Sequence, residues 1–223
     1  MSKSGFPFIE LEYSRPSKEE TILKAEEFYR SLNKRRSVRE YSPDDVPKEV
    51  IESIIRAAGT APSGAHKQPW TFCAIRNRDL KAKIREAAEK EEYDNYHGRM
   101  SDSWLKDLAP LETDWQKSFI DDAPWIIVVF RKIYDLDNGE KKKNYYVQES
   151  VGIAAGMLLA AIHSSGLVSL THTPSPMDFL GEVLERPKNE KAFLLMPVGY
   201  PQKGAEVPYL ERKALDDIAV FYE

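Results

Sequence analysis

The chain has 223 residues, 42% hydrophobic and 30% charged, enough for one globular domain with a continuous core and unlike a disordered composition. Its net charge of −4 argues against a protein that lives on nucleic acid, because binding a phosphate backbone shows as a basic surplus. A single cysteine, Cys73, excludes an intramolecular disulfide framework and fits a reducing compartment.

Residues 1–6 lack the apolar core of a signal peptide, so a cytoplasmic protein is expected. Ser17-Lys18-Glu19-Glu20 is a capping box that starts a first helix, with Ile22, Ala25, Tyr29 and Leu32 on one face. A second helix enters through Pro47, turns Val50, Ile51, Ile54, Ile55 and Ala58 inward, and ends at Gly59. The run Trp70-Thr71-Phe72-Cys73-Ala74-Ile75 reads as a strand, and Cys73 within it as a small core residue rather than a nucleophile. A third helix begins at about Leu80 with Ile84, Ala87 and Ala88 inward. After Glu91 its pattern decays into a long excursion, residues 93–116, that belongs outside the core.

Residues 124–130 form a continuous apolar run, the signature of a strand buried on both faces. Asn138-Gly139 marks a turn. Residues 146–165 are apolar nearly all round, which predicts a helix buried on every side; Gly152 and Gly156 on it suggest close approach of another backbone, one that a second subunit could supply. Its longest apolar stretch, residues 151–162, falls short of the roughly 20 residues that span a bilayer. Gly166 closes that helix. A strand over 167–171, a short helix near 178–184 and a strand over 192–198 follow. The tail, residues 210–223, carries Ile218, Val220, Phe221 and Tyr222 and should pack on something. The pattern predicts a single α+β domain over residues 1–223, one sheet between helices.

Arg35, Arg36, Ser37 and Arg39 place three guanidinium forks and a hydroxyl within five positions, a donor set that suits phosphate oxygens. Basic residues at a helix end also offset the macrodipole, which accounts for Arg35 but not for Arg39. No GxGxxG follows a strand and no GxxxxGK[ST] occurs, so a Rossmann dinucleotide domain and a P-loop are disfavoured. In Pro62-Ser63-Gly64-Ala65 the small residues permit close backbone approach, with the Ala65 N–H toward a ligand, although a plain helix-to-strand loop looks the same. His66, His97, His163 and His172 show no metal-ligand spacing.

Arg35-Arg36-Ser37-Val38-Arg39, Ala58-Gly59-Thr60-Ala61-Pro62-Ser63-Gly64-Ala65-His66, Pro69-Trp70-Thr71-Phe72, Thr171-His172-Thr173-Pro174, Pro197-Val198-Gly199-Tyr200-Pro201 and Arg212-Lys213 occur in this order. Together, from about Leu32 onward, they resemble the iodotyrosine deiodinases, a branch of the nitroreductase superfamily. The resemblance implies a nitroreductase-like fold with a mixed or antiparallel central sheet, and a homodimer interlocked by chain exchange in which both subunits build each FMN site. It implies that Arg35, Arg36, Ser37 and Arg39 hold the FMN phosphate and ribityl region, with Arg212 completing the clamp. Pro62, Ser63 and Gly64 would lie against the isoalloxazine, with Leu170, Thr171 and Thr173 along its other edge. The Thr173 hydroxyl would bond the flavin N5, although the same residue could simply start the turn at Pro174.

The branch also grips a substrate zwitterion with a Glu, a Tyr four residues on and a downstream Lys. The matches are Glu92, Tyr96 and Lys117, on a lid at about residues 91–117. An amino-acid ligand needs such a carboxylate and cation, and Glu92 and Tyr96 share a helix face, yet Glu89, Glu91 and Glu92 would also make an ordinary solvated face. The implied reaction is loss of halide from a halotyrosine, with electrons from reduced FMN and the phenolate oxygen held by the Ala65 N–H. NAD(P)H or a separate reductase would supply the electrons. Animal members carry a membrane anchor not found in this sequence, which implies a soluble microbial form. A general nitroreductase or quinone reductase would share the FMN residues, and a non-catalytic flavin-binding protein would lack turnover. His172 suggests nothing beyond space filling.

Overall fold

The computed structural model describes residues 5–223. The first four residues of the stretch read above for a signal peptide lie outside it. The chain divides into two compact units, Met1–Arg35 and Arg36–Glu223.

In the first unit, α1 (Lys18–Asn33) opens as the sequence predicts. Ser17 Oγ accepts from the Glu20 N–H at 3.1 Å while the Glu20 carboxylate accepts from the Ser17 N–H at 2.8 Å, so two orphan amides are satisfied reciprocally. Its apolar face is not covered. No α1 residue is buried, and Ile22, Leu23, Phe28 and Tyr29 are at least half exposed.

The second unit is built on a four-stranded antiparallel sheet, in the order β1 (Trp70–Ile75), β2 (Trp125–Lys132), β6 (Glu190–Gly199), β5 (Val168–Ser169). Strand side chains alternate between faces, so a strand with no polar residues needs cover on both sides. On one face Ile126, Val128 and Phe130 of β2 join Ile84 and Ala88 of α3 (Arg78–Asp94) and Leu180 of α7 (Asp178–Val183). On the other, Ile127 and Val129 join Ile51, Ile54 and Ala58 of α2 (Lys48–Gly59) and Val151, Leu158 and Ile162 of α6 (Val147–Ser164). The short helices α4 (Asp102–Leu108) and α5 (Phe119–Asp122) lie between α3 and β2 in the chain.

Several expectations are corrected. The third helix starts at Arg78, where Asn77 Oδ1 caps the Leu80 N–H, and runs past Glu91 to Asp94. Its apolar pattern breaks because Lys81 and Glu92 occupy buried positions on the helix. The excursion that follows is partly helical and not wholly outside the core, since Asn95 and Lys117 are buried. Residues 167–171 supply only the two-residue strand β5. Asn138-Gly139, both at positive φ, turn an unpredicted hairpin of β3 (Tyr134–Asp137) and β4 (Glu140–Lys143), whose exposed charged residues carry no alternation. α6 is not buried all round: Gly152, Ile153 and Gly156 are exposed, and among the described residues nothing lies within 4 Å of a Cβ built on either glycine. The tail is a separate case: Ile218, Val220, Phe221 and Tyr222 are exposed in the single chain, which tests no contact with a second subunit.

Gly199 ends β6 in a close approach. A Cβ there would lie 2.5 Å from Pro124 Cδ, a ring atom that cannot swing aside. Gly199→Ala is expected to destabilise the domain by about 1–3 kcal/mol, the range for overpacking; urea unfolding checks this, and an unchanged midpoint contradicts it.

Candidate active site

The segment after α1 is threaded onto the sheet edge. The Val38 N–H donates to the Ser169 carbonyl at 3.3 Å, and the buried Tyr41 hydroxyl donates to the Val38 carbonyl at 2.9 Å. Burial pushes the Tyr41 phenol far above its ordinary pKa, so it stays a donor. The Arg36 guanidinium donates to the Pro208 carbonyl, tying this segment to the chain that leads to Arg212. Ser37 and Arg39 line a cavity of about 510 Å³ with Pro208 and Tyr209; Glu112 and Glu206 share its wall. Of the predicted phosphate residues, Arg36, Ser37 and Arg39 are therefore brought together. Arg212 lies exposed in the irregular tail, and Arg35 is half-buried at the end of the first unit.

The predicted flavin loop packs elsewhere, against the start of α6. A Cβ on Gly64 would meet the Tyr146 ring at 2.8 Å and the Tyr145 carbonyl at 3.0 Å, which is why glycine stands there. Ser63 Oγ accepts the Gln68 N–H at 2.8 Å. Ala65, His66 and Gln68 all adopt positive φ, strain of order 1 kcal/mol or more each. Pro62 and Ala65 are exposed. Leu170 is buried in the core, which leaves its backbone rather than its side chain to meet a ligand.

Beyond Leu170 the chain alternates: Thr171 and Thr173 are exposed, and His172 between them is buried. Backbone bonds in both directions pin His172 to Leu195 of β6, at 2.8 and 2.9 Å.

The predicted substrate residues do converge, and they are desolvated. Glu92 and Lys117 are both buried, with Nζ 3.7 Å from Oε2. The Lys117 ammonium lies 5.3 Å from the centre of the Tyr96 ring, and its backbone N–H donates to Glu89 Oε1 at 2.7 Å. The Tyr96 hydroxyl donates to the Thr113 carbonyl at 3.1 Å. Burial raises the Glu92 pKa and lowers that of Lys117, each opposed by the other's charge. A buried pair of this length contributes little to stability, because desolvation offsets the attraction. Perturbed groups of this kind cluster at functional sites.

Two residues join the cluster that sequence reading had not placed there. Arg39, predicted for the cofactor, lies close enough to act electrostatically on Lys117, Tyr96 and His172. His172 Nε2 stands 3.9 Å from Glu92 Oε1, with the ring edge-on to Phe119 at 5.4 Å. A protonated ring would attract Glu92, but burial first, then the Lys117 and Arg39 charges, lower its pKa to about 3. His172 is neutral. Among the described residues no group of side chains could hold a metal ion, and no helix is long and apolar enough to cross a membrane.

A model of the nitroreductase family matches residues 32–200, and the chain belongs to that family. It is 60% identical over 205 residues to an iodotyrosine deiodinase from Haliscomenobacter hydrossis, a match that spans 92% of each chain. It is 49% identical over 217 residues to one from Daphnia pulex, covering 96% of this chain and 72% of that one. A crystal structure of oxidized iodotyrosine deiodinase bound to FMN and 3-iodo-L-tyrosine matches with a TM-score of 0.74 at 28% identity, covering 87% of this chain and 100% of that one. Within the family, the chain falls with the iodotyrosine deiodinases.

The neutral His172 has a measurable consequence. Its native pKa of about 3 lies below the ordinary 6.5, so between those values the unfolded chain binds one more proton. Stability from this residue is complete above pH 6.5 and is lost as pH falls toward 3, by up to about 1.4 kcal/mol per pH unit. His172→Gln should flatten that limb. Urea titrations at about pH 7 and about pH 4 check it; equal acid sensitivity in the two proteins contradicts a buried neutral imidazole.

Proposed function

We propose that this protein binds FMN and uses it to remove halide reductively from halotyrosines, 3-iodotyrosine among them. The observation that carries the reading is the desolvated Glu92–Lys117 pair beside Tyr96. A free amino acid presents an ammonium and a carboxylate within one small group, and binding it costs two desolvations. Glu92 and Lys117 are already desolvated, so the substrate takes over partners whose burial is part of the fold. Glu92 receives the ammonium and Lys117 the carboxylate, with Tyr96 closing over both.

The donor set fits FMN. Arg36, Ser37 and Arg39 suit a phosphate and ribityl chain, and the cavity that Ser37 and Arg39 line is continuous with the segment leading to Arg212. Arg35 adds a further guanidinium. Pro62, Ser63, Gly64 and the backbone of Leu170 would border the flavin ring. Exposed Thr171 and Thr173 would meet its edge, with the Thr173 hydroxyl as hydrogen-bond partner of N5. When bound in its reduced form, FMN would supply two electrons and a proton, so that a carbon–hydrogen bond replaces the carbon–halogen bond and the halogen leaves as halide. The exposed Ala65 holds the substrate phenolate oxygen through its N–H. An ortho halogen lowers a phenol's pKa, and each unit favours the bound phenolate by about 1.4 kcal/mol, so halotyrosines are selected over tyrosine.

The substrate lid is residues 91–117. Ordering a free segment of that length would cost about 1–2 kcal/mol per residue. Much of this segment is already folded through α3, α4 and the bonds of Tyr96 and Lys117, so closure has less to order. The flavin loop packs on α6 and the substrate trio packs by Phe119 and His172. A homodimer, in which the exposed face of α6 and the tail beyond residue 210 meet a partner, would let one chain's loop face the other's lid. NAD(P)H or a separate reductase returns the electrons.

Purified protein is expected to be yellow and to release FMN on denaturation; Arg36→Ala weakens FMN by about 1.5–3 kcal/mol, measured by fluorescence titration. Colourless protein that takes up no added FMN would refute the cofactor. Under anaerobic conditions the dithionite-reduced protein should release iodide from iodotyrosine. Glu92→Gln should raise KM for iodotyrosine about tenfold or more and lower the ratio of deiodination to nitroaromatic reduction. A parallel fall of both activities would make the trio structural and favour a general nitroreductase.

A further inference from the structure

Only three buried side-chain nitrogen or oxygen atoms lack a hydrogen-bond partner among the described residues: Arg131 Nε, Asn144 Oδ1 and His172 Nε2. Arg131 and Asn144 each make a hydrogen bond through another atom of the side chain, to Gln148 and to the Lys132 carbonyl. His172 Nε2 has Glu92 Oε1 across from it at 3.9 Å. An unpartnered buried polar atom costs about 1–3 kcal/mol. Phe or Leu would fill the same space against Phe119 without that cost, so space filling does not account for a histidine here.

We propose that His172 is a positioning residue for Glu92: its Nε2–H takes Glu92 Oε1 as a hydrogen-bond acceptor when Lys117 turns from Glu92 to the substrate carboxylate. The proposal rests on the reading of Glu92 as the ammonium site. In the structure Glu92 lies between two partners and is bonded closely to neither, with Lys117 Nζ at 3.7 Å from one oxygen and His172 Nε2 at 3.9 Å from the other. Both exceed the 2.7–3.2 Å of a formed N–H···O bond by under an ångström or so. The histidine cannot retreat, because Leu195 holds its backbone from both sides and Phe119 backs the ring. The side chain of Glu92 is therefore the one that moves.

The donor's lack of charge matters. Glu92 must keep its negative charge for the substrate ammonium, and a cationic neighbour would compete for it. Lys117 is such a neighbour until the substrate carboxylate draws it away. His172, kept neutral by burial and by the Lys117 and Arg39 charges, donates a proton to a hydrogen bond without neutralising the carboxylate. It fixes the direction of Glu92 and leaves the charge available. The tautomer this requires carries its proton on Nε2.

The test compares iodotyrosine with 2-iodophenol, which has the reacting ring and no ammonium group. His172→Phe keeps the volume and removes the donor; His172→Leu removes it in a smaller side chain; His172→Gln places an N–H near the position of Nε2. In the FMN-loaded protein, Phe and Leu should each lower the iodotyrosine-to-2-iodophenol ratio of kcat/KM about tenfold, the effect residing in KM, and Gln should restore most of it. Iodotyrosine Kd from the flavin absorbance change should move with KM. The proposal is overturned if Phe and Leu leave the ratio at the native value, if both substrates lose alike, or if Gln does no better than Leu. Glu92→Gln run alongside separates the two levels. A native ratio in that variant removes the ammonium site itself, whereas a lowered ratio with unaffected His172 variants removes only the role of His172.

Discussion

Strand β2 has no face that can meet water. From Trp125 to Phe130 every side chain is buried, so the sheet has to be covered twice, by α3 and α7 on one side and by α2 and α6 on the other. Burial of each such Val, Ile or Phe is worth about 1.5–3 kcal/mol. The candidate site follows from that layering. The end of α3 carries Glu92 alongside the layer that includes Phe119. The β5–β6 edge presents segments 37–38 and 170–173, with His172 bridged to Leu195.

The second constraint is electrostatic. Charges removed from water must find compensation, and in this cluster it is uneven: the Lys117 ammonium donates to the Asp114 carbonyl, whereas Glu92 lies 3.7 Å from it and His172 Nε2 is unpartnered. A purely structural interior would have replaced these groups with apolar ones at little cost or with a gain. On the proposed function, the charges held in this layer meet those of a zwitterionic substrate.

Sequence patterns gave the core strand and most helices because burial there is apolar and periodic. Residues 124–130, Ile51 with Ile54 and Ala58, and the Ser17–Glu20 box were all legible. Reading failed wherever burial and hydrophobicity part company. Lys81 and Glu92 blurred both ends of α3, since a buried lysine looks like a solvated one. The hairpin of β3 and β4 is held by its Asn138-Gly139 turn, with a charged second strand that alternates nothing. α6 erred the other way: apolar residues all round suggested complete burial, yet one chain covers only one side. The candidate site was partly legible by resemblance, which grouped Glu92, Tyr96 and Lys117, but that Arg39 and His172 join them was not. It depends on the segment after residue 36 lying along β5 and on residues 170–173 crossing to β6, which are facts of topology.

That neighbourhood mixes both signs of charge. Glu92 and Asp114 act on Lys117 as anions and Arg39 as a cation, while His172 contributes no charge. On the proposed function a halotyrosine bound as phenolate would bring an ammonium for Glu92 and a carboxylate for Lys117. An amine without a carboxylate would draw on Glu92 and leave Lys117 beside Arg39 with no added anion to face, in a layer where each uncancelled interaction is stronger than in water. The arrangement therefore favours the complete zwitterion, and the acidity of the phenol is selected separately, at the Ala65 N–H. A protonated His172 would add a further positive charge beside Lys117 and Arg39 and weaken the site for the ammonium.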